Sequence, residues 1–228
     1  MVRVDTVYQR VLVLANKEQR GYITPQEFNL YANQAQMEIF EQYFYDLNQA
    51  SRVTGNDTVH ADVDDMLEEK LQIFQDEVLL SSLETGFGGF LIPDEVYRIS
   101  SVRAGGTDCE ILNAKDWNDS QSGGYLTRPT ASRPIANIRG NVLRSAPITA
   151  DFAVVFRAPR IVNWTYLLIG YKAMYDANLS TVDFELHPSE ETELVYKILK
   201  FAGISMKALD IMRAGQIQEQ SQVQQEKQ

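Results

Sequence analysis

Residues Phe184 to Ile204, FELHPSEETELVYKILKFAGI, constrain the fold more than any other stretch. They carry, in order, the signals a helix needs to start, run and stop. Pro188 suits a first helical turn, where its missing N–H would have no partner anyway. Glu190, Glu191 and Glu193 stand near the positive end of the helix dipole, and Lys197 and Lys200 near the negative end. Leu194, Ile198 and Phe201 recur at helical spacing, with Val195, Leu199 and Ala202 beside them, so one face is apolar and turns to a core. The three glutamates are expected to be exposed. Gly203 is expected to end the helix in a left-handed conformation, with Ile204 packing back on the last turn.

The N-terminal third reads as helical too. Val7, Val11 and Leu14 mark one face of a helix over residues 6–16. Thr24-Pro25-Gln26-Glu27 is a capping box with proline at the first helical position. Phe28, Tyr31, Ala32, Ala35, Ile39, Tyr43 and Leu47 then continue an apolar stripe for about six turns, widened by Phe40 and Phe44. The aromatic stripe of Tyr31, Phe40, Tyr43 and Phe44 reads first as core and second as interface. Residues 50–60, with His60, read as a polar loop, and 63–74 as a short helix with Met66, Leu67, Leu71 and Phe74 inward.

From Glu77 the periodicity changes to that of strands. Residues 77–81 and 87–92 flank Glu84-Thr85-Gly86 as a hairpin. Val96 to Arg103 is a strand, turned at Gly105-Gly106 into residues 110–112. Residues 114–118 allow one helical turn, and 120–133 read as an exposed loop. Gly140-Asn141 joins two further strands, and 151–157 is a strand between Pro147 and Pro159. Residues 164–175 are long and apolar enough for a helix, but Trp, Tyr, Ile and a central Gly170 favour a β-hairpin. Residues 182–186 are expected as the strand leading into the C-terminal helix. These elements predict an α+β fold, with terminal helices packed on a central antiparallel β module. The expected divisions are a helical region over 1–80, a β module over 81–186, a helix over 187–214 packing back on the helical region, and a mobile Gln-rich tail over 215–228.

Composition excludes several functions. The 228 residues include one cysteine, Cys109, so no intramolecular disulfide forms. The formal net charge of −10 argues against a general phosphate-binding surface, which needs Lys and Arg. No run approaches the ~18 apolar residues of a membrane helix. Arg3, Asp5, Gln9 and Arg10 interrupt any apolar secretory core, so none is expected. His60 and His187 sit in no zinc-binding spacing. Asp62, Asp64 and Asp65 lack an EF-hand's ligand spacing and central glycine. Gly86-Phe87-Gly88-Gly89 lacks the Lys-Ser/Thr of a phosphate loop, and no Gly-x-Ser-x-Gly elbow is present. No catalytic residue, cofactor or metal site is expected.

Arg128, Arg133, Arg139, Arg144, Arg157 and Arg160 gather within one third of an acidic chain. They read either as a solvated β surface or as an ion-pair surface meeting the acidic face of a neighbour. The candidate intersubunit contacts are therefore Arg139, Arg144, Arg157, Glu190 and Glu191.

Two runs also carry a resemblance. FELHPSEETELVYKILKFAGI and VYQRVLVLANKEQRGYITPQEFNLYANQAQMEIFEQYF (Val7 to Phe44) resemble virion proteins of short-tailed bacteriophages, including crAss-like and marine phages. The resemblance implies a ring-forming head–tail adaptor (connector) between portal and tail, in the virion and assembled in the host cytoplasm. It implies self-association in about twelve copies, contacts with the portal protein and other tail ring proteins, and genomic DNA passing through the lumen without specific binding. A more distal tail ring or fibre-docking protein is the first alternative, and a tail-associated hydrolase the second.

Overall fold

The computed structural model describes residues 1–17, 23–50, 58–80, 84–85, 89–124, 127–170, 172–176 and 178–205. The fold is α+β, as expected. The chain forms two compact units: residues 1–73 with 159–228, and residues 74–158. This places the β module's boundaries at 74 and 158 rather than at 81 and 186, and residues 159–186 join the helical unit. The expectation for the Gln-rich tail lies outside the described residues.

Among the described residues of the helical unit, the α-helices are α1 (Val4–Lys17), α2 (Pro25–Ala50), α3 (Thr58–Gln72) and α5 (Glu191–Ser205). The helix α5 packs against α1 and α2, and α3 packs against α2. The capping box starts α2: Glu27 N–H donates to Thr24 Oγ1 at 3.3 Å, and Thr24 N–H donates back to Glu27 Oε2 at 2.9 Å. The backbone and hydroxyl bonds from Thr24 hold the Glu27 carboxyl below the usual carboxylate range. Val7, Tyr8 and Val11 of α1 are buried with Phe28, Ala32, Ala35, Ile39 and Phe40 of α2 and Leu194, Ile198 and Ala202 of α5. The stripe residues Phe40, Tyr43 and Phe44 are buried, and half-buried Tyr31 stacks on Phe201. Leu14 and Met66, expected inward, are 39% and 58% exposed. Position 60 lies in α3, not in a loop.

A 3-10 turn over Pro188–Glu190 precedes α5, with His187 as its N-cap. Gly203 does not end the helix. It is buried within α5, which runs to Ser205. Glycine's helix penalty is only about 1 kcal/mol, small beside the burial of the face that α5 presents to its neighbours. Residues 182–186 are extended but form no strand. They make single bridges, Val182 to Asn163 and Phe184 to Val2. The hairpin expected over 164–175 is present as β10 (Tyr166–Ile169) and β11 (Lys172–Tyr175), antiparallel, turning at Gly170 with φ of +56°.

The described residues of the β unit form two sheets. One is all antiparallel, in the order β1 (Gln75–Leu79), β9 (Phe152–Arg157), β4 (Val96–Ala104), β5 (Thr107–Asp108). The other runs β2 (Glu84–Thr85), β3 (Gly89–Leu91), β8 (Val142–Ala146), β7 (Ile135–Arg139), β6 (Glu110–Leu112). Its β6–β7 pair is parallel, so the module is not purely antiparallel. The turns at Gly105-Gly106 and Gly140-Asn141 both form, with positive φ at Gly105, Gly106 and Gly140. Two expected pairings change partner: β1 pairs β9 rather than the strand after residue 86, and β6 leaves β4 for the other sheet. The core draws Val102, Ala104, Ala153 and Val155 from one sheet and Phe90, Ala136 and Leu143 from the other. Cys109 is buried with them, and burial pushes its thiol up, which makes it a poor nucleophile. The single turn expected at 114 is a longer helix, α4 (Ala114–Ser122), capped by the Asn113 side chain and packed on β7.

Candidate interaction surface

The exit of the chain from the β unit is held by a ladder that sequence reading missed. Asn29, Asn33 and Gln36 lie at i, i+4 and i+7 on α2, hence on one helix face. Asn29 Oδ1 accepts from Trp164 N–H at 2.8 Å, and its Nδ2 donates to Trp164 C=O at 3.2 Å. Asn33 repeats this with Val162, at 2.7 Å and 2.9 Å. Gln36 Nε2 donates to Arg160 C=O at 2.8 Å, and its Oε1 accepts from Glu185 N–H at 3.1 Å. The spacings agree: four helical residues advance about 6 Å, and two extended residues about 6.6 Å. The side-chain amides thus serve the backbone as a neighbouring strand would. Replacing Asn33 with Ala leaves the amide and carbonyl of Val162 without these partners. We expect a loss of about 2 kcal/mol, from a typical 1–3 kcal/mol for stranded polar groups, measurable by urea denaturation.

The ladder ends at Trp164, which is 1% exposed. Its Nε1–H donates to Asp5 Oδ1 at 3.1 Å, and its ring lies 4.1 Å from that of Tyr8. It also stacks with Tyr166 and Tyr175 at centroid distances of 5.6 Å and 6.0 Å, one from each strand of the hairpin. The base of β10–β11 is therefore fixed. Beyond it the ribbon is apolar and in water: Leu167 is 49% exposed, Leu168 72%, Ile169 60% and Met174 54%. The register puts Leu167 opposite Met174, Leu168 opposite Ala173 and Ile169 opposite Lys172, so large apolar residues stand on both faces. Contiguous exposed apolar side chains of this kind are uncommon on monomeric proteins.

A second apolar feature of the same unit is concave. Val13 and Leu14 of α1 face Val195 and Tyr196 of α5 across a groove of about 370 Å³, with Gln9, Arg10 and Thr192 at its sides. Arg10 pairs there with Glu191 at 3.0 Å.

The residues singled out from sequence fall in different settings. Arg139 and Arg144 share the face of β7–β8 that looks away from the inter-sheet core, because Arg144 stands opposite Asn137. Both are exposed. Arg139 is a clasp within the unit, donating to Asn137 Oδ1, Asn118 Oδ1 and Ala114 C=O and so tying α4 to the sheet. Arg157 ends β9 in the other sheet, half-buried. Arg133 pairs with Glu110, and Arg160, in the helical unit, with Glu185.

The glutamates depart furthest from expectation. Glu190 is 2% exposed and bonded to Lys70 Nζ at 2.7 Å, so it cannot serve as a surface contact. Glu193 is 5% exposed, within 3.5 Å of Lys197 Nζ, itself 1% exposed. Glu191 is half-buried beside the groove, and the Oε1 that pairs with Arg10 is itself buried. Among the described residues no group of three or more His, Cys, Asp or Glu is placed to hold a metal ion, and no helix is long and apolar enough to cross a membrane. Comparison with known proteins finds no family model that matches the chain and no curated protein that matches its sequence.

Proposed function

We propose that this chain is a bacteriophage virion structural protein that assembles into a ring, a head–tail adaptor between portal and tail. The observation that carries assembly is the hairpin β10–β11, whose base is clamped by Trp164 and whose tip offers Leu167, Leu168, Ile169 and Met174 to solvent. The adaptor role rests on the resemblance of residues 7–44 and 184–204 to virion proteins of short-tailed phages. In this reading identical subunits, about twelve, close through heterologous contacts. Portal and further tail ring proteins stack above and below. The net charge of −10 lets genomic DNA pass through the lumen without being held. The role needs no catalytic group, cofactor or membrane.

Electron microscopy of the purified protein mixed with portal tests this. Rings seated on the portal are the expected result. Binding to isolated tail components with none to portal would move the protein to a more distal ring or a fibre-docking role. The same assay tests the arginine face. Arg144→Glu should weaken assembly at low salt and less at high salt, because exposed charges are screened within about 8–10 Å. Its melting temperature should stay near that of the wild type. Arg139→Glu is a poorer probe, since it also releases α4. Unchanged rings from Arg144→Glu at low salt would leave the arginines as a solvated surface.

A further inference from the structure

We infer that the apolar hairpin of one copy seats in the α1–α5 groove of the next, and that this contact joins the subunits of the ring. The inference deepens the ring reading and rests on it. Its starting point is that the helical unit carries both halves of an apolar contact, one convex and one concave. The convex half is the tip Leu167–Ile169 with Met174, exposed on both faces yet fixed at its base by the buried Trp164. The concave half is walled by Val13, Leu14, Val195 and Tyr196. Its volume of about 370 Å³ is at the low end of the ~300–1,000 Å³ typical of ligand pockets. That suits a few aliphatic side chains.

The two halves do not meet within one chain: among the described residues, none of the hairpin lines the groove. Asp5 and Tyr8 of α1 turn toward Trp164 at the hairpin base. Gln9, Arg10, Val13 and Leu14 turn toward the groove. At 3.6 residues per turn the mean directions of these two sets differ by roughly 140° around the α1 axis. The hairpin base and the groove thus use different parts of the α1 surface. A second copy of this chain is the occupant that matches both. Because the surfaces joined are different, the contact is heterologous, and repetition gives a ring or an open filament rather than a two-fold dimer. The Arg10–Glu191 pair at the groove's side is then a rim contact, which sets register more than affinity.

Two exposed positions allow a test that folding does not confound: Leu168 at 72% and Val13 at 64% exposure. The full chain and the variants Leu168→Glu and Val13→Glu are compared by sedimentation velocity over a concentration series, with thermal melts as the folding control. Each variant alone should lose more than about tenfold in association constant, since a carboxylate would be driven into an apolar contact. Mixing the two variants is decisive. Leu168→Glu keeps an intact groove and Val13→Glu an intact hairpin, so together they should form one-to-one dimers that grow no further. Wild-type assemblies with unchanged association of both variants would overturn this contact and leave the ring reading standing. So would variants that fall apart singly but give no dimer when mixed. A wild-type chain that stays monomeric at high micromolar concentration would overturn both.

Discussion

Replacing Trp164 with Ala should cost about 3–5 kcal/mol, the usual loss for a large aromatic side chain cut from a packed site. In a chain of this size that lowers the melting temperature by on the order of 10 °C. The reason lies in how many elements share this one ring. Trp164 is 1% exposed and touches Tyr8 of α1 and both strands of the hairpin through Tyr166 and Tyr175. Its indole N–H is also satisfied by Asp5 at 3.1 Å. Truncation leaves a cavity and strands a polar acceptor together. Trp164→Phe is the milder change: it keeps an aromatic face but loses the bond to Asp5, worth roughly 1 kcal/mol, and part of the packed volume. The measurement is chemical denaturation followed by circular dichroism. Trp117, in α4 of the other unit, serves as an internal fluorescence reporter. A Trp164→Ala chain as stable as wild type would show that the hairpin base is not fixed by this residue. The rigid presentation on which assembly is argued would then fail.

The hairpin was legible from sequence because its signals are local. Gly170 supplies the positive φ, and the β-prone residues on either side supply the strands. The same holds for the Thr24–Glu27 box and for the turns at Gly105-Gly106 and Gly140-Asn141. Partner choice was not legible. The strand β6 follows the Gly105-Gly106 turn closely, yet it pairs in parallel with β7, some 25 residues on. Such pairing depends on which faces bury together, and a three-residue strand carries too little pattern to declare it. The Asn29, Asn33, Gln36 ladder was open to view as amides at i, i+4 and i+7 beside the apolar stripe. The spacing alone cannot say whether a polar face meets water or a backbone. Val13 and Leu14 pose the converse difficulty. By sequence Leu14 belongs to the apolar stripe of Val7 and Val11, and Val13 does not, yet both are exposed and line the groove. Candidate contacts are surfaces left over after packing, and packing is the non-local term.

Charges at the start of α5 show the same limit, and they give the second large effect. Glu190, Glu193 and Lys197 read as a solvated, dipole-matched helix end. In the fold they are buried at 2%, 5% and 1% exposure. Lys197 Nζ lies 3.5 Å from Glu193 and 3.4 Å from Glu38, which is 41% exposed on its side chain. An ion pair taken out of water stabilises little overall, because desolvation offsets the attraction. Breaking it is another matter. Lys197→Ala should cost about 3–5 kcal/mol, since it removes the buried cation beside Glu193 and Glu38. That equals or exceeds the ~2–5 kcal/mol expected for Ile198→Ala on the apolar face of the same helix. Glu191→Gln should move stability by at most about 1 kcal/mol, because its partner Arg10 is 54% exposed and water screens the pair. The double change Lys197→Met with Glu193→Leu should recover most of the loss, as it removes both charges and keeps the volume filled. Denaturant midpoints of the four proteins decide the matter. If Lys197→Ala costs no more than Glu191→Gln, the lysine reaches water in solution, and the start of α5 is a surface open to a partner. If the double change is as damaging as Lys197→Ala, the cost comes from packing around the lysine stem rather than from loss of the buried charge pair.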